Sequence, residues 1–271
     1  MTDPIRTTRR GALALGAAAL AAPAIVPAAA RAHGFAPPVV LVHGAWHGAW
    51  AWSKLLHPLA ESGVMATAVE LSGLGANSHM QRREIGLRAH VQDLSNHLFY
   101  NDLRGAVVVG HSYGGCVLSG ALAQDRDRRI AHAIYLDALI LDDGEALASH
   151  VPPQVAETFA AATEAGAMIP PRPPEARERL WGLTGDLAEW ADARLRPMSA
   201  RCFTETIEGS PWRDGVRYTY QRCTQNRNPL FDTFMAQAEG APRFRTQKID
   251  GHHDVMAIDP ALMRDALLAA L

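Results

Sequence analysis

Hydrophobic residues in this chain form short runs rich in valine and isoleucine, which alternate with longer segments whose apolar residues recur at helical spacing. Short apolar runs are typical of strands buried on both faces, and their alternation with helices is typical of a parallel sheet covered on both sides. The pattern therefore predicts an α/β fold built on a mostly parallel six-stranded sheet flanked by helices. The predicted strands lie near residues 38–43, 64–70, 106–111, 130–136, 216–223 and 244–250, and the predicted helices lie near 49–62, 88–103, 113–125, 230–240 and 260–271.

The pattern changes after the fourth predicted strand, between Asp142 and about Trp212. Proline pairs such as Pro152-Pro153 and Pro170-Pro171 divide this segment into short amphipathic pieces that carry several aromatic residues. We expect these pieces to form a helical cap, inserted over about residues 142–212, that folds over the carboxyl edge of the sheet. Ligands bind at that edge in open α/β sheets, so the cap should cover the ligand site.

The first 32 residues differ in composition from the rest of the chain. Arg9-Arg10 precedes an alanine-rich apolar segment that ends in the small residues of Ala30-Arg31-Ala32. This arrangement resembles a twin-arginine export signal with a cleavage site, so residues 1–32 are predicted to be such a signal. Pro23, Pro27 and the weak hydrophobicity of alanine argue against a stable membrane anchor. The mature protein is expected to be periplasmic or secreted through the twin-arginine pathway.

The remaining residues, 33–271, are enough for one domain with a sizeable core. The chain has a formal net charge of −2, 48% hydrophobic residues and 20% charged residues. These values describe an ordinary globular protein without the basic patch that nucleic-acid binding requires. Three cysteines, Cys116, Cys202 and Cys223, allow at most one intramolecular disulfide, so folding should not depend on a disulfide framework. The sequence leaves the oligomeric state open.

A candidate nucleophile lies in the motif Gly110-His111-Ser112-Tyr113-Gly114. The motif follows the apolar run 106–109 and precedes a helical pattern, which is the strand, turn and helix context of a nucleophile elbow. An elbow exposes the serine at the apex of a strained turn, and the glycines on both sides let the strand and the helix approach each other. Two further motifs are His43-Gly44, at the end of the first predicted strand, and Gly251-His252-His253-Asp254 near the C-terminus. A nucleophile that precedes the histidine is the chain order of α/β-hydrolases.

Four segments together carry a family resemblance. They are Val39–Trp50, which contains His43-Gly44, then Leu71-Ser72-Gly73-Leu74-Gly75, Gly110–Gly115 and Ile134-Tyr135-Leu136-Asp137-Ala138. They resemble the α/β-hydrolase superfamily, in the branch that holds plant methylesterases, plant hydroxynitrile lyases and bacterial esterases such as pyrethroid hydrolases. The resemblance covers most of residues 37–271 and is weakest in the cap. It implies the α/β-hydrolase fold and a serine nucleophile.

The resemblance also implies a role for each motif. Ser112 is the implied nucleophile, and His253 is the implied general base that takes its proton. His252 is an adjacent competitor for that role. The family pattern of Gly-His-Asp followed by small apolar residues favours His253 over His252.

Two backbone N–H groups should stabilise the negative oxygen of the tetrahedral intermediate. The resemblance implies that Tyr113 and Ala45 supply them, with Trp46 as the alternative to Ala45. The substrate pocket is expected to include Gly44, Trp46 and His111. Each of these also has a structural interpretation: the strand must turn sharply at Gly44, tryptophans are more often part of the core, and a histidine beside the elbow serine commonly orders a loop by hydrogen bonding.

The third residue of the triad departs from the family pattern. The usual acid follows the strand that ends near Cys223, and Asn226 stands at the aligned position. An amide can orient the imidazole but cannot stabilise imidazolium by charge. We prefer Asp137, at the end of the fourth predicted strand, because some α/β-hydrolases supply their acid from that place. The alternatives are Asn226 acting alone or another carboxylate. Another interpretation of Asp137 is a structural residue that holds the hinge of the cap.

These residues predict a serine esterase that cleaves a small or aryl carboxylic ester through an acyl-enzyme on Ser112. The alternatives are an activity like that of hydroxynitrile lyases or C–C bond hydrolases, or a non-catalytic ligand-binding role if Asn226 marks a decayed triad. The resembling lyases carry a threonine and a lysine where this chain has Gly44 and Asp254. The sequence has no metal-ligand motif and no dinucleotide fingerprint, so neither a metal nor a cofactor is predicted. The expected partner is a small-molecule ester.

Overall fold

The computed structural model of the protein describes residues 36–271. The export signal predicted over residues 1–32 lies outside the described residues and stays a prediction, as does the periplasmic or secreted location. Within residues 36–271, no helix is both long enough and apolar enough to cross a membrane.

The described residues contain eight strands, six of which form the main sheet. The strands are β1 (Val39–Val42), β2 (Ala66–Val69), β3 (Ala106–His111), β4 (Ile130–Leu136), β5 (Met168–Ile169), β6 (Met198–Ser199), β7 (Arg217–Cys223) and β8 (Phe244–Ile249). The main sheet has the order β2-β1-β3-β4-β7-β8, and each neighbouring pair in it is parallel. The carboxyl ends of β1, β3 and β4 therefore meet at one edge of the sheet.

Helices occupy the connections between the strands. They are α1 (Ser53–Glu61), α2 (Leu87–Tyr100), α3 (Gly114–Gln124), α4 (Pro153–Glu164), α5 (Pro174–Trp181), α6 (Gly185–Asp192), α7 (Arg201–Thr204), α8 (Pro229–Glu239), α9 (Val255–Ile258) and α10 (Pro260–Ala270). Their positions agree with the predicted alternation of strands and helices.

Alternate residues of β1 show that the sheet is buried on both faces. Val40 and Val42 belong to a hydrophobic cluster with residues of α2, α3 and α8, whereas Val39 and Leu41 belong to a cluster with residues of α1, α9 and α10. Successive side chains of a strand point to opposite faces, so a strand that is covered on both sides consists of hydrophobic residues throughout. The predicted parallel sheet flanked by helices is confirmed.

The cap is the chain between β4 and β7. It contains α4, α5, α6 and α7, and also a small two-stranded sheet in which β5 and β6 pair antiparallel, with Met168 opposite Ser199 and Ile169 opposite Met198. The hydrophobic pattern does not predict this small sheet, because two residues are too few to show the alternation of a strand. The small sheet matters for the site, since Ile169 and Met198 contact Trp46 in the loop that follows β1.

Two helices differ from the sequence prediction. The helix predicted over 49–62 is divided into a 3-10 turn, Ala49–Trp52, and α1. The helix predicted over 88–103 ends at Tyr100, and Asp102 beyond it has a φ of 50°, which an α-helix excludes. Neither difference changes the order of the elements.

Candidate active site

Ser112 lies at a sharp turn between β3, which ends at His111, and α3, which begins at Gly114. Its φ of 54° is in the left-handed region, which costs a non-glycine residue on the order of 1–3 kcal/mol. The flanking glycines allow the turn to close. A Cβ at Gly110 would lie 2.6 Å from the Gly114 carbonyl oxygen, and a Cβ at Gly114 would lie 2.6 Å from the Val42 carbonyl oxygen. The turn leaves the side chain of Ser112 partly exposed.

Backbone hydrogen bonds hold this strained turn. The Ser112 N–H donates to the Leu136 carbonyl oxygen at 3.1 Å. The Ser112 carbonyl oxygen accepts from the N–H groups of Gly115 and Leu139 at 3.1 and 3.2 Å. The turn is thus fixed to the end of β4 and to the start of the cap, as well as to its own helix.

His253 faces the carboxylate of Asp137. The distance from His253 Nδ1 to Asp137 Oδ2 is 2.7 Å, and both residues are buried. Because a carboxylate oxygen accepts hydrogen bonds, Nδ1 carries the proton and Nε2 is left as the nitrogen that accepts one. Asp137 directly follows β4, with a φ of 43° and an N–H that donates to the Gln221 carbonyl oxygen at 2.7 Å. With Nδ1 protonated and Nε2 free to accept a proton, His253 is in the tautomer that a general base requires.

Four hydrogen bonds compensate for the burial of the Asp137 carboxylate. Oδ1 accepts from Arg222 Nη1 at 2.9 Å and from the Cys223 N–H at 3.2 Å, while Oδ2 accepts from His253 Nδ1 and from Asn226 Nδ2. A buried carboxylate needs such partners because its desolvation is costly. The sequence reasoning missed Arg222, since its role becomes visible only when β7 is known to lie beside β4.

Asn226 contacts Asp137 rather than replacing it. The Asn226 Nδ2 lies 2.6 Å from Asp137 Oδ2 and 3.1 Å from His253 Nδ1. Both nitrogens are donors when Nδ1 is protonated, so no hydrogen bond joins Asn226 to the imidazole. The Asn226 Oδ1 accepts from the Asn228 N–H at 3.0 Å, which fixes this orientation of the amide. The geometry places the carboxylate of Asp137 opposite the imidazole and the amide of Asn226 against that carboxylate.

The neighbouring His252 lies outside this arrangement. It is partly exposed and packs against Gly182, where an added Cβ would lie 2.3 Å from His252 Cγ. Among residues 36–271, Asp137 accepts a hydrogen bond from His253 and none from His252.

The backbone N–H groups of Ala45 and Tyr113 are available beside Ser112. Ala45 and Tyr113 line the same cavity as Ser112, and within the described part of the chain neither N–H donates a hydrogen bond. Free N–H groups that border a nucleophile are the arrangement that stabilises an oxyanion.

Trp46, the alternative donor, is tied to the cap instead. Its N–H lies 3.2 Å from Met198 Sδ, its indole Nε1 donates to the Ile169 carbonyl oxygen at 3.1 Å, and its own carbonyl oxygen accepts from the Arg196 N–H at 3.0 Å. Trp46 also has a φ of 67°, which is rare for a bulky residue. These contacts hold the loop after β1 in one conformation, and they engage the N–H of Trp46.

A buried ion pair connects the loop after β1 to the loop that carries His253. His47 Nε2 lies 3.1 Å from Asp254 Oδ2, and His47 Nδ1 lies 2.7 Å from the Ala45 carbonyl oxygen. Both facing atoms accept hydrogen bonds, so both nitrogens carry protons and His47 is an imidazolium. Burial alone would lower the pKa of His47, but the charge of Asp254 and the hydrogen bonds to Asp254 and Ala45 raise it above the ordinary value. Burial would raise the pKa of Asp254, yet His47 holds it below the ordinary value.

Two other buried histidines are neutral. Burial lowers the pKa of His43 to about 3, and burial together with His253 lowers the pKa of His111 well below its ordinary value. His43 Nδ1 contacts the Gly44 carbonyl oxygen at 2.9 Å, and its Nε2 accepts from the Leu71 N–H at 3.3 Å. His111 Nε2 donates to the His253 carbonyl oxygen at 3.0 Å. Both histidines therefore order loops around the site.

An apolar cavity is lined by both Ser112 and His253. Its empty space is about 640 Å³, including the part open to solvent. Its apolar lining consists of Ala45, Trp46, Tyr113, Leu139, Leu147, Val151, Val155, Phe159, Leu180, Trp181, Phe203, Leu230 and Phe231, and its polar lining of Ser112, Arg172, Asn226, Asn228 and His253. Since many of these residues belong to the cap, the cap forms much of the wall of the cavity.

Of the three residues predicted for the pocket, Trp46 lines this cavity, whereas Gly44 and His111 are not among its lining residues. His111 is fully buried, and Gly44 lies against it: a Cβ at Gly44 would lie 3.0 Å from His111 Nδ1 and 3.1 Å from Ser112 Cβ. The lining of this cavity therefore does not support the assignment of Gly44 and His111 to the pocket, which stays a prediction. The sequence shows that both residues lie at or just beyond the end of a strand, but it does not show which side of each turn faces the ligand. The absence of a side chain at Gly44 lets the loop approach Ser112.

His111, His253 and Asp254 each offer an atom within 4.8 Å of the others, a spacing that a metal ion could bridge. One atom of each residue forms a hydrogen bond: His253 Nδ1 with Asp137, His111 Nε2 with a carbonyl oxygen, and Asp254 Oδ2 with His47. The remaining atoms, His111 Nδ1 and Asp254 Oδ1, are buried and have no hydrogen-bond partner among the described residues. We interpret the cluster as a hydrogen-bonded network and assign no metal to it.

The sequence profile of the alpha/beta hydrolase family matches residues 39–266. The chain belongs to the α/β-hydrolase family. Among similar proteins, the carbendazim hydrolyzing esterase of Nocardioides sp. (strain SG-4G) is 27% identical over 241 residues, which are 85% of this α/β-hydrolase and 98% of the relative. The pheophorbidase of Raphanus sativus is 36% identical over 121 residues, which are 41% of this chain and 42% of the relative. The second match thus spans less than half of either protein.

Solved structures share the fold. An extracellular α/β-hydrolase from a Paenibacillus species, described as a structural and functional homologue of tobacco salicylic acid binding protein 2, has a TM-score of 0.72 at 21% identity over 86% of this chain and 98% of its own. A pyrethroid hydrolase from Sphingobium faniae JZ-2 has a TM-score of 0.67 at 16% identity, over 86% of this chain and 96% of its own. At these identities the likeness shows the α/β-hydrolase fold.

Proposed function

We propose that this α/β-hydrolase is a serine esterase that cleaves a small or aryl carboxylic ester through an acyl-enzyme on Ser112. The proposal rests on one observation above all: His253 is held by Asp137 at 2.7 Å in the wall of a cavity that Ser112 also lines. The names of the relatives, which include the carbendazim hydrolyzing esterase and putative methylesterases of Arabidopsis thaliana, support ester hydrolysis as the reaction.

In this mechanism Nε2 of His253 takes the proton of Ser112 Oγ while the oxygen attacks the carbonyl carbon of the ester. Nε2 then delivers the proton to the leaving alcohol, and the acyl group stays on Ser112. The carboxylate of Asp137 holds the Nδ1–H and stabilises the imidazolium that forms. Water, activated by the same histidine, then releases the acid and restores Ser112.

The N–H groups of Ala45 and Tyr113 stabilise the oxyanion in both steps. Each donor of this kind contributes about 2.7–4 kcal/mol of transition-state stabilisation. We prefer Ala45 to Trp46 as the first donor, because the Trp46 N–H is directed to Met198 Sδ. The His47–Asp254 pair supports this loop through the hydrogen bond from His47 to the Ala45 carbonyl oxygen.

The contacts of Asp254 and Asn226 weigh against the alternative functions. The resembling lyases carry a lysine at the position of Asp254, whereas here that position holds a carboxylate paired with His47. This site therefore lacks the lysine cation that lyases of that type carry. Decay of the triad would leave His253 without an acid, but Asn226 donates to Asp137 and so supports a carboxylate that faces the histidine.

The aromatic lining supports an aryl or other apolar substrate. Trp46, Trp181, Phe203 and Phe231 border the cavity together with aliphatic residues. Burial of apolar area contributes roughly 25 cal/mol per Å², so an aromatic ring gains most in such a lining.

Hydrolysis of p-nitrophenyl esters and methyl aryl esters by the purified mature protein tests the proposal. Ser112→Ala should stay folded and lose activity by several orders of magnitude, and it should no longer react with a fluorophosphonate label. Ser62→Ala is the matched control, because Ser62 is exposed at the end of α1 and bonds to the Pro58 carbonyl oxygen. A Ser112→Ala enzyme that keeps more than about a tenth of the activity would exclude the acyl-enzyme mechanism.

We further propose that residues 1–32 export the protein to the periplasm or beyond through the twin-arginine pathway. Arg9-Arg10 and the alanine-rich segment after it support this. Fused to a reporter that only the twin-arginine pathway exports, residues 1–32 should deliver it, and Arg9→Lys with Arg10→Lys should stop delivery. Unchanged delivery of the double variant would contradict the proposal.

A further inference from the structure

One charged side chain in the wall of the cavity takes no part in the proposed chemistry. Among the described residues that line the cavity, Arg172 carries a permanent charge, and the lining contains no aspartate or glutamate. The guanidinium carbon of Arg172 lies 5.9 Å from the ring centroid of Trp46, which lines the same cavity. A cation thus borders an otherwise apolar space.

The guanidinium of Arg172 has donors to spare. Within residues 36–271 it forms no ion pair, whereas the nearby Arg177 pairs with Asp192. The backbone carbonyl oxygen of Arg172 accepts from Arg177 Nη1 at 2.9 Å, which fixes the segment before α5. Burial lowers the pKa of Arg172, and the charge of Arg179 lowers it further, although an arginine stays protonated. Arg172 is therefore an exposed cation that borders the cavity and has no counterion among the described residues.

The other polar side chains of the lining carry no permanent charge, and most of them already bond within the protein. Asn226 binds Asp137, and the Asn228 Oδ1 accepts from the Leu230 N–H at 3.2 Å at the start of α8. Ser112 and His253 belong to the proposed catalytic machinery. Arg172 is thus the polar lining group best placed to recognise a charged part of a ligand.

We propose that Arg172 binds a carboxylate of the substrate, so that the preferred substrates are half-esters of dicarboxylic acids or other esters with a carboxylate away from the scissile bond. The guanidinium presents paired N–H donors that match the two oxygens of a carboxylate, and a charge-assisted pair of this kind is stronger than a neutral hydrogen bond. The apolar walls between Arg172 and Ser112 would hold the chain or ring that separates the two groups. This inference rests on the proposed esterase function and names its substrate class.

The first test compares p-nitrophenyl half-esters of dicarboxylic acids with p-nitrophenyl alkanoates of equal chain length. The measured quantity is the ratio of kcat/KM for the anionic ester to kcat/KM for the neutral ester. At the best chain length, Arg172→Gln should lower this ratio about tenfold, and Arg172→Lys should lower it less because the charge remains. Arg179→Gln is the matched control and should leave the ratio unchanged, since Arg179 is charged and near but does not line the cavity.

Two results of this comparison would overturn the inference. A ratio that Arg172→Gln leaves unchanged overturns the inference, because Arg172 then only packs on Trp46. A ratio that falls equally in Arg172→Gln and Arg179→Gln also overturns it, because a general positive field and not a bound carboxylate would be responsible. Hydrolysis of either ester series by the unmodified enzyme tests the esterase function itself, so failure with both series would count against that function and leave carboxylate binding to the next measurement.

A binding measurement keeps the inference testable if no ester is cleaved. The Ser112→Ala protein is titrated with monomethyl suberate and with dimethyl suberate, and binding is followed by the fluorescence of the tryptophans that line the cavity. The monomethyl ester should bind more tightly than the dimethyl ester. In the Ser112→Ala background, Arg172→Gln should lower the ratio of the two affinities, monomethyl to dimethyl, about tenfold. Equal affinity for the two esters in the presence of Arg172 would refute the carboxylate site.

Discussion

The amide of Asn226 lies 2.6 Å from Asp137 Oδ2, the same carboxylate oxygen that faces His253. Asn226, which stands where the family usually has the acid, thus donates a hydrogen bond to the carboxylate of Asp137 at the end of β4. The two positions are 89 residues apart in the chain but adjacent in the sheet, because β4 pairs with β7. The proposed triad is therefore divided between two neighbouring strands, and Asp137 rather than Asn226 carries its charge.

Replacement of Asp137 tests this division most directly. Asp137→Asn removes the charge that stabilises the imidazolium and offers a donor where an acceptor is needed, so kcat should fall by up to about 10⁴-fold. Far-ultraviolet circular dichroism should show a folded protein. A folded Asp137→Asn enzyme with near-normal kcat would show that another group orients His253.

Asn226→Asp should lower kcat rather than raise it. The substitution would place a second carboxylate beside Asp137 Oδ2, and two like charges at that distance cannot both ionise without cost. One of the two carboxylates would therefore be protonated, and the hydrogen bond between Asp137 and His253 would be weakened. Asn226→Ala removes one donor to Asp137 and should have a smaller effect. An accelerated Asn226→Asp enzyme, measured with the same ester, would instead identify position 226 as the natural place of the acid.

The local part of this site is predictable from the sequence. The apolar run before Gly110 and the small residues after Ser112 indicate an elbow, since both glycines are needed for the strand and helix to approach. The parallel sheet is equally predictable, because strands buried on both faces consist of continuous hydrophobic residues. Predicted helix boundaries are wrong where a single residue ends the helix, as at Asp102 with its positive φ.

The contacts between distant segments are not predictable in this way. His47 and Asp254 are 207 residues apart, and no local pattern indicates that their side chains meet. The choice between Asp137 and Asn226 stays open in the sequence for the same reason, since it depends on which strands are neighbours. The position of Arg172 in the cavity wall depends on the packing of the cap, where hydrophobic periodicity is weakest.

Gly110→Ala should disrupt the elbow. Its Cβ would lie 2.6 Å from the carbonyl oxygen of Gly114, so the backbone must shift, at a cost of about 1–3 kcal/mol in the free energy of unfolding. Urea unfolding measures this cost, and kcat should fall because Ser112 moves. Gly240→Ala is the control: its nearest atom would be 3.5 Å away, so stability should change by less than about 0.5 kcal/mol. Equal stability of the two variants would contradict the tight approach at Gly110.

The His47–Asp254 pair predicts a pH dependence of stability with a definite sign. The folded-state pKa of His47 is raised, so its contribution is fully present below the ordinary histidine pKa of about 6.5 and is lost as the pH rises through the folded value. The folded-state pKa of Asp254 is lowered, so its contribution is present above its ordinary pKa and is lost only in acid. The pair should thus stabilise the protein most between the two ordinary values.

Asp254→Asn isolates this effect. Without the carboxylate, burial lowers the pKa of His47, so the variant should lose stability by roughly 3–5 kcal/mol near pH 6, because it leaves a buried partner uncompensated. The difference in the free energy of unfolding between the unmodified protein and Asp254→Asn should shrink as the pH rises through the raised folded-state pKa of His47, since His47 is then neutral in both proteins. Asp214→Asn, an exposed position, should show no such difference. A difference that stays constant from pH 6 through the whole alkaline range in which the protein is folded would mean that His47 is not charged in the folded protein, and the two donated hydrogen bonds that join it to Ala45 and Asp254 would have to be reassigned.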